Sequence, residues 1–413
     1  MRSNNFGASG KYWNGSCRRY EEDTSSLFPS HLMLLLQPFP RTLSRTTTPT
    51  PITQTRKMEA VKNAVGKATG GAIGNKLPTR KLGKNGPYVT ALGFGTMGLS
   101  AFYGKPKPDN ERFAVLDKCY EEGELFWDSA DVYQDSEDLL GKWFQQNPGK
   151  REHIFLATKF ANRRDENNQP FADSSPEYCR QACEKSLFRL GLPFIDLYYA
   201  HRLDGKTPIE KTVEEMKKLK QEGKIKYLGL SECSSESLRR ACKVEHIDAV
   251  QVEYSPFSLD IESPQIGLLK TCRELGVAVV AYSPIGRGML GGTIRSPKDF
   301  EEGDFRTFAP RFSEENFPKN LELVDRITEL AQKKGVTPSQ LTLAWILAQG
   351  DDFFPIPGTT NINRLVENMG SLKIKLSPEE EKEIRKACEN ATISGGRYPE
   401  AFAKALFADT PPL

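Results

Sequence analysis

From Thr79 onward the chain alternates eight times between a short apolar run rich in β-branched and aromatic residues and a stretch with helical spacing. The runs fall at 91–95, 125–129, 154–159, 195–201, 226–230, 248–252, 277–281 and 353–356. Continuous apolar runs belong to strands covered on both faces, as in parallel sheets. Regular alternation with helices makes each pair a βαβ unit. Eight such units close naturally into a (β/α)8 TIM barrel, an α/β fold. The rival, an open doubly wound sheet, has fewer strands and places a glycine-rich phosphate turn after its first one. Gly93 to Gly98 does read G-x-G-x-x-G, but LSAFYGKPKPDN follows it, too rich in Gly and Pro to be the helix that motif opens.

Punctuation between the runs fits helices. Asp109 is placed to cap one with Phe113, Leu116 and Tyr120 inward, ending at Gly123. Ser175-Pro176 opens another, with Cys179, Ala182, Cys183 and Leu190 inward, ending at Gly191. Thr207-Pro208 opens a third, with Glu210 completing a capping box and Ile209, Val213, Met216 and Leu219 inward. Ahead of the first run, RKLGKNGPYVT carries Asn85-Gly86, a turn signal for a β-hairpin that would close the bottom of the barrel. The expected organisation is an N-terminal extension over 1–75, predicted to be disordered, a barrel over 76–395 and a C-terminal tail over 396–413.

Net charge is +3, from 57 Lys and Arg against 54 Asp and Glu, so nothing favours nucleic acid or an anionic membrane as partner. The first 57 residues differ, with eight basic residues against three acidic ones amid Ser/Thr/Pro-rich runs. That composition fits a mitochondrial address, a disordered extension or an upstream reading of a start at Met58. The chain is otherwise expected to be cytoplasmic. Its eight cysteines include no C-x-x-C pair, and none has a histidine at ligand spacing, so reduced apolar fillers are expected and no metal.

Active sites of such barrels form at the C-terminal ends of the strands. There the second run ends in Trp127-Asp128-Ser129-Ala130-Asp131-Val132-Tyr133, the third in Lys159 and the fourth in His201. A carboxylate, a phenol, an ammonium and an imidazole thus reach one rim. The set suits proton donation to a carbonyl oxygen: an ammonium stabilises the phenolate, a carboxylate holds the ammonium, and an imidazole orients the carbonyl. Hydride must then come from a cofactor. Singly, each has a plainer reading: a turn cap, a loop aromatic, a solvated charge, a core histidine. The ends of the seventh and eighth runs, AYSPIGRG and PIPGTTN, hold small and hydroxyl residues before helices, the usual phosphate site of the fold. Tyr282 would stack on a planar ring or simply pack, and Arg364 would meet a phosphate or solvent. Phe102, Tyr103, Trp127 and Tyr133 suggest an aromatic wall, and the 291–318 loop, with Arg306 and Arg311, a lid.

The motifs GFGTMG, DSADVY, KYLGLSE, QVEYSPF, AYSPIGRGML and PIPGTTNINRLVENMG resemble the aldo-keto reductases over 81–372, most of all the fungal and plant branch that includes pyridoxal reductases. The resemblance implies NADPH as cofactor and a small carbonyl compound as substrate, with pyridoxal reduction to pyridoxine as one case. A cofactor-sensing accessory subunit with slow turnover is the alternative it allows. It implies that Tyr133 is the general acid, tuned by Lys159 and Asp128, with His201 orienting the carbonyl. Gly95, Thr96 and Met97 would edge the nicotinamide ribose. Ser231 and Gln251 would hold the carboxamide, and Tyr282 would stack on the ring. Ser283, Ile285, Gly286 and Arg287 would follow the pyrophosphate. Gly358, Thr359, Arg364, Glu367 and Asn368 would hold the adenosine end. The chain departs from the family pattern at Glu232, where an amide is common, and at Thr360, where a basic residue is common. The second departure leaves NADPH preference resting on Arg364.

Overall fold

The computed structural model describes residues 77–167 and 169–413, within the compact unit Lys67–Leu413. The expected extension and its targeting readings lie outside the described residues. A short antiparallel pair comes first, β1 (Thr79–Lys81) and β2 (Tyr88–Thr90). The barrel strands are β3 (Phe94–Gly95), β4 (Phe126–Asp128), β5 (Phe155–Phe160), β8 (Ile195–Ala200), β9 (Ile225–Ser231), β10 (Ala249–Glu253), β11 (Ala278–Tyr282) and β12 (Phe353–Pro355). A second antiparallel pair, β6 (Asn162–Arg164) and β7 (Pro170–Ala172), is inserted after β5.

The eight barrel strands are parallel and hydrogen-bonded in chain order from β3 to β12. The ends then meet: Gly93 N donates to Pro355 O at 3.0 Å and Gly95 N to Pro357 O at 3.2 Å. Glycine is needed at this seam, because a Cβ on Gly358 would lie 2.5 Å from Gly95 O. The result is the (β/α)8 barrel, with strands within a few residues of the eight apolar runs.

Because side chains alternate along a strand, each strand feeds two cores. Phe126, Ala157, Leu197, Tyr199, Ala249, Ala278, Val280 and Phe354 fill the barrel interior. Trp127, Leu156, Tyr198, Val250 and Val279 point the other way, into the layer shared with the helices. Leu82 and Val89, from β2 and the turn before it, join the interior cluster, and Lys84 N donates to Gly276 O at 2.7 Å. That turn spans six residues rather than two, and its left-handed residues include Gly83 (φ +63°) rather than Asn85.

Two helix starts differ from expectation. Asp109 lies inside helix Asp109–Glu122, behind Pro108, and its carboxylate binds Arg112 and Lys142 instead of capping. That helix buries Arg112, Val115, Leu116 and Cys119, one residue around from the face read from its aromatics. Helix Ile209–Gln221 has no side-chain cap: Thr207 donates to Asp204 at 2.8 Å, and Glu210 pairs with Arg240. Ser175, by contrast, caps helix Pro176–Leu190, which buries the expected Cys179, Ala182, Cys183 and Leu190. Seven cysteines are free thiols among the described residues. No helix there is long and apolar enough to cross a membrane, and no His/Cys/Asp/Glu group there is placed to hold a metal.

Candidate active site

The inward register of the strands selects the site. Asp128 lies two residues beyond interior Phe126, Lys159 two beyond Ala157, His201 two beyond Tyr199 and Gln251 two beyond Ala249. All four therefore point to the axis at the C-terminal rim. Lys159 Nζ sits 2.5 Å from Asp128 Oδ1 and 2.6 Å from Ser129 O, and Gln251 Nε2 donates to Asp128 Oδ2 at 2.8 Å. Tyr133 arrives from the loop after β4, with Oη 3.5 Å from Lys159 Nζ. Its ring meets the His201 ring edge-on, 5.8 Å between centroids. The four expected side chains are thus brought together.

The electrostatics differ from the sequence expectation in one respect. Burial pushes the Tyr133 phenol well above its ordinary value, and the charge of Asp128 adds to that, while Arg202 opposes it. The ammonium of Lys159 was expected to do the reverse. It is already neutralised by Asp128, so the two charges largely cancel at the phenol oxygen and desolvation dominates. The phenol is therefore fully protonated at neutral pH. Burial draws Lys159 down and Asp128 up, and each opposes the other's shift through the ion pair. Three charge-assisted contacts hold this pair, and we take it as ionised. His201 is held well below its usual value by burial, then by Lys159 and Arg202. Its ring is neutral, and its buried Nδ1 has no partner among the described residues.

A cleft of about 1260 Å³ opens from this rim. Of the expected cofactor residues, Gly95, Met97, Gln251, Tyr282, Ser283, Ile285, Arg287, Gly358, Thr359, Arg364, Glu367 and Asn368 line it. Thr96, Ser231 and Gly286 do not. Thr96 is buried, its hydroxyl donating to Asp128 O at 3.0 Å, so it braces β4. Ser231 Oγ accepts from Arg202 Nη1 at 3.2 Å. Gly286 is left-handed (φ +54°) and packs against Phe257. Arg287 borders the cleft, but its guanidinium is committed to Glu253 at 3.3 Å and stacks on Tyr398 and Phe305. Glu367 accepts from Thr337 Oγ1 at 2.6 Å. Arg364 is exposed, and its side chain has no hydrogen-bond or ion-pair partner among the described residues. Asn361 caps helix Ile362–Gly370, which carries Arg364.

On the other side of the cleft, Phe102, Tyr103 and Tyr133 form an aromatic wall, but Trp127 does not. It points outward from β4, donates Nε1 to Glu124 O and packs on Trp143. Of the loop arginines, Arg311 is buried against Glu253 and Ser258, away from the cleft, and Arg306 pairs with Asp304. Glu232, the first family departure, is buried and accepts from Tyr282 Oη at 2.7 Å and from Arg397 at 3.2 Å. Sequence reasoning missed the contributions of β6–β7, the tail and Arg202. Phe171 and Phe402 line the mouth. The tail is strapped down at its end: Ala408 N donates to Glu232 O and Ser234 N to Ala408 O, both at 2.9 Å. Arg202 could have been found from its place directly after His201. The tail gave no signal, because its contacts lie more than 100 residues away along the chain.

Residues 91–389 match the family model described as "Aldo/keto reductase family". Among curated proteins, the chain is 51% identical over 340 residues to an aldo-keto reductase named yakc [NADP(+)] from Schizosaccharomyces pombe, covering 82% of this chain and 99% of that one. It is likewise 51% identical over 342 residues to aldo-keto reductase str7 of Strobilurus tenacellus, with 82% and 99% covered. Among solved structures it resembles the glycerol dehydrogenase AKR11B4 from Gluconobacter oxydans, with TM-score 0.67, 27% identity, and 81% of this chain and 98% of that one covered. It also resembles the thermostable aldo-keto reductase Tm1743, with TM-score 0.60, 27% identity, and 75% and 100% covered. With a closed eight-strand barrel, the four polar side chains at its rim and matches of this extent, the chain belongs to the aldo/keto reductase family.

Proposed function

We propose that the chain is an NADPH-dependent carbonyl reductase, converting an aldehyde or ketone to its alcohol. The observation that carries this is the protonated Tyr133 phenol, 3.5 Å from Lys159 Nζ and edge-on to a neutral His201, at the head of an open cleft. Tyr133 gives its proton to the carbonyl oxygen, and the phenolate that results lies beside the Lys159 ammonium. Lys159 thus acts on the charge that develops during transfer rather than on the resting phenol. His201, neutral and with a ring nitrogen to spare, orients the carbonyl oxygen.

The cleft fits the cofactor. It has a tyrosine ring at its base, a trough at 283–285 and 356–360, and the unpartnered Arg364 guanidinium farther along. When bound, NADPH supplies the hydride to the carbonyl carbon. Tyr282, fixed by Glu232, would hold the nicotinamide face. Ser283, Ile285, Gly358 and Thr359 would line its path, and Arg364 with Asn368 would take the 2′-phosphate end. The NADP(+) in the name of the fission-yeast relative supports the choice of dinucleotide.

Within this class, the resemblance to the fungal and plant branch favours pyridoxal reduced to pyridoxine. The aromatic mouth, with Phe102, Phe171 and Phe402, suits a flat ring. The test is Tyr133→Phe. Its ring contacts remain and only one long hydrogen bond is lost, so the fold and NADPH affinity are kept. The kcat on 4-nitrobenzaldehyde is expected to fall by about 10²–10⁴-fold, the worth of a positioned general acid. A fall below about tenfold removes Tyr133 from its role.

A further inference from the structure

Two of the cations that line the cleft have their own acids. Arg163 has Asp173 at 2.7 Å, and Arg306 has Asp304 at 2.5 Å. Arg202 does not. It follows His201 directly, and its Nη1 donates to His201 O at 2.6 Å and Ser231 Oγ at 3.2 Å, both uncharged acceptors. It has no ion-pair partner among the described residues, and it lines the cleft together with Tyr133, His201 and Tyr398. Nε and Nη2, which carry three of the five N–H donors of a guanidinium, have no protein partner among the described residues. Glu232, whose charge also reaches Arg202, is held by Tyr282 and Arg397. Arg202 is half-buried, and a guanidinium without its own acid there is better stabilised when a ligand supplies one. The planar fork suits an anionic oxygen.

We propose that Arg202 is a specificity-determining residue, taking an anionic oxygen that the substrate carries beside its reacting carbonyl. The inference rests on the reductase reading above and narrows its substrate class to ring-bearing carbonyl compounds with an acidic oxygen next to the carbonyl. Two chemistries supply such an oxygen, a 2-oxo carboxylate and an ortho phenolate. The protonated Tyr133 is kept for the carbonyl oxygen, and Arg202 reads the neighbour.

The test compares kcat/KM within two matched pairs: phenylglyoxylate against its methyl ester, and pyridoxal against pyridine-4-carboxaldehyde. Wild type, Arg202→Met and Arg202→Lys are measured with NADPH, and NADPH affinity of each is followed by fluorescence. In Arg202→Met the charged-to-neutral ratio is expected to fall by about ten- to hundredfold in at least one pair, mostly through KM, the worth of a charge-assisted hydrogen bond. Arg202→Lys should restore part of it. The pair that responds tells carboxylate from phenolate. The proposal is overturned if both ratios stay within threefold, if kcat falls alike for charged and neutral members with a displaced pH profile, or if the loss is in NADPH affinity alone. Wild type that reduces benzaldehyde but neither charged compound overturns it and leaves the reductase reading standing. Wild type that reduces no aldehyde removes that reading and the proposal together.

Discussion

Replacing Lys159 by Met, alone and with Asp128→Asn, asks whether the buried pair is one energetic unit. Both side chains are buried, and Nζ lies 2.5 Å from Oδ1. At an effective dielectric of about 20, unit charges at that distance attract by about 7 kcal/mol. Taking two ions out of water offsets most of that, so the intact pair is worth little net. Removing one partner leaves the other's desolvation uncompensated, and Lys159→Met is expected to cost about 3–5 kcal/mol. Asp128→Asn leaves the ammonium with Ser129 O and should cost a comparable amount. The double variant buries no charge, so it should be more stable than the sum of the singles by at least about 3 kcal/mol, the cost of one single. Protonation relieves the single Lys159→Met variant, because burial raises the Asp128 carboxyl. A carboxyl raised on folding loses stability as pH rises, so this variant should be weaker at pH 8.5 than at pH 6 by more than wild type is. Urea denaturation of the four proteins at both pH values reads the cycle. Singles that sum to the double within about 0.5 kcal/mol, with no added pH dependence, would refute the coupling.

Glu124 is fully buried, neither carboxyl oxygen has a hydrogen-bond partner among the described residues, and burial raises it to about 8. Its folded value exceeds its unfolded one, so its contribution is complete below about 4.5 and is lost as pH rises to about 8. Glu124→Gln should therefore gain a few kcal/mol relative to wild type between pH 5 and pH 8; equal stability differences at the two pH values would contradict this. Arg364→Met should raise the Kd for NADPH about ten- to hundredfold while leaving NADH unchanged, as expected for one charge-assisted phosphate contact. A parallel loss for both dinucleotides, read by fluorescence titration, would place Arg364 elsewhere.

The part of the site built on strands was legible because a two-residue period fixes side-chain direction. Once Phe126, Ala157 and Tyr199 face inward, Asp128, Lys159 and His201 must follow. The same rule sends Trp127 outward, to Glu124 O and Trp143 and away from the aromatic wall that its residue type suggests. The helix faces were readable to about one residue, since aromatic content pulled the Asp109–Glu122 face toward Phe113 and Tyr120. Packing centres that face on Val115, Leu116 and Cys119, with Phe113 and Tyr120 partly buried at its edge and Arg112 reaching Asp135 at 2.9 Å.

Beyond the strand ends no period applies, and that is where the assignments shifted. Glu232, Ser283 and Arg287 all adopt left-handed backbone, φ +50°, +49° and +55°, a conformation costly for residues other than Gly. Each turns its side chain in a direction that no strand register foretells. Glu232 is turned from the expected nicotinamide contact into the buried network of Tyr282 and Arg397, and Arg287 from the expected pyrophosphate contact to Glu253. Three loop arginines, Arg287, Arg311 and Arg397, converge on the two acids Glu232 and Glu253. One charged cluster thus ties the loops after β9 and β11 and the tail to a single rim. Arg202 stands at the edge of this cluster with no ion-pair partner among the described residues, because Glu232, whose charge reaches it, is held by Tyr282 and Arg397. The departure at Glu232 and the guanidinium at Arg202 thus belong to one arrangement: the loop and tail arginines take up the charge of Glu232 and Glu253, and the proposed substrate oxygen would meet the cation they leave over.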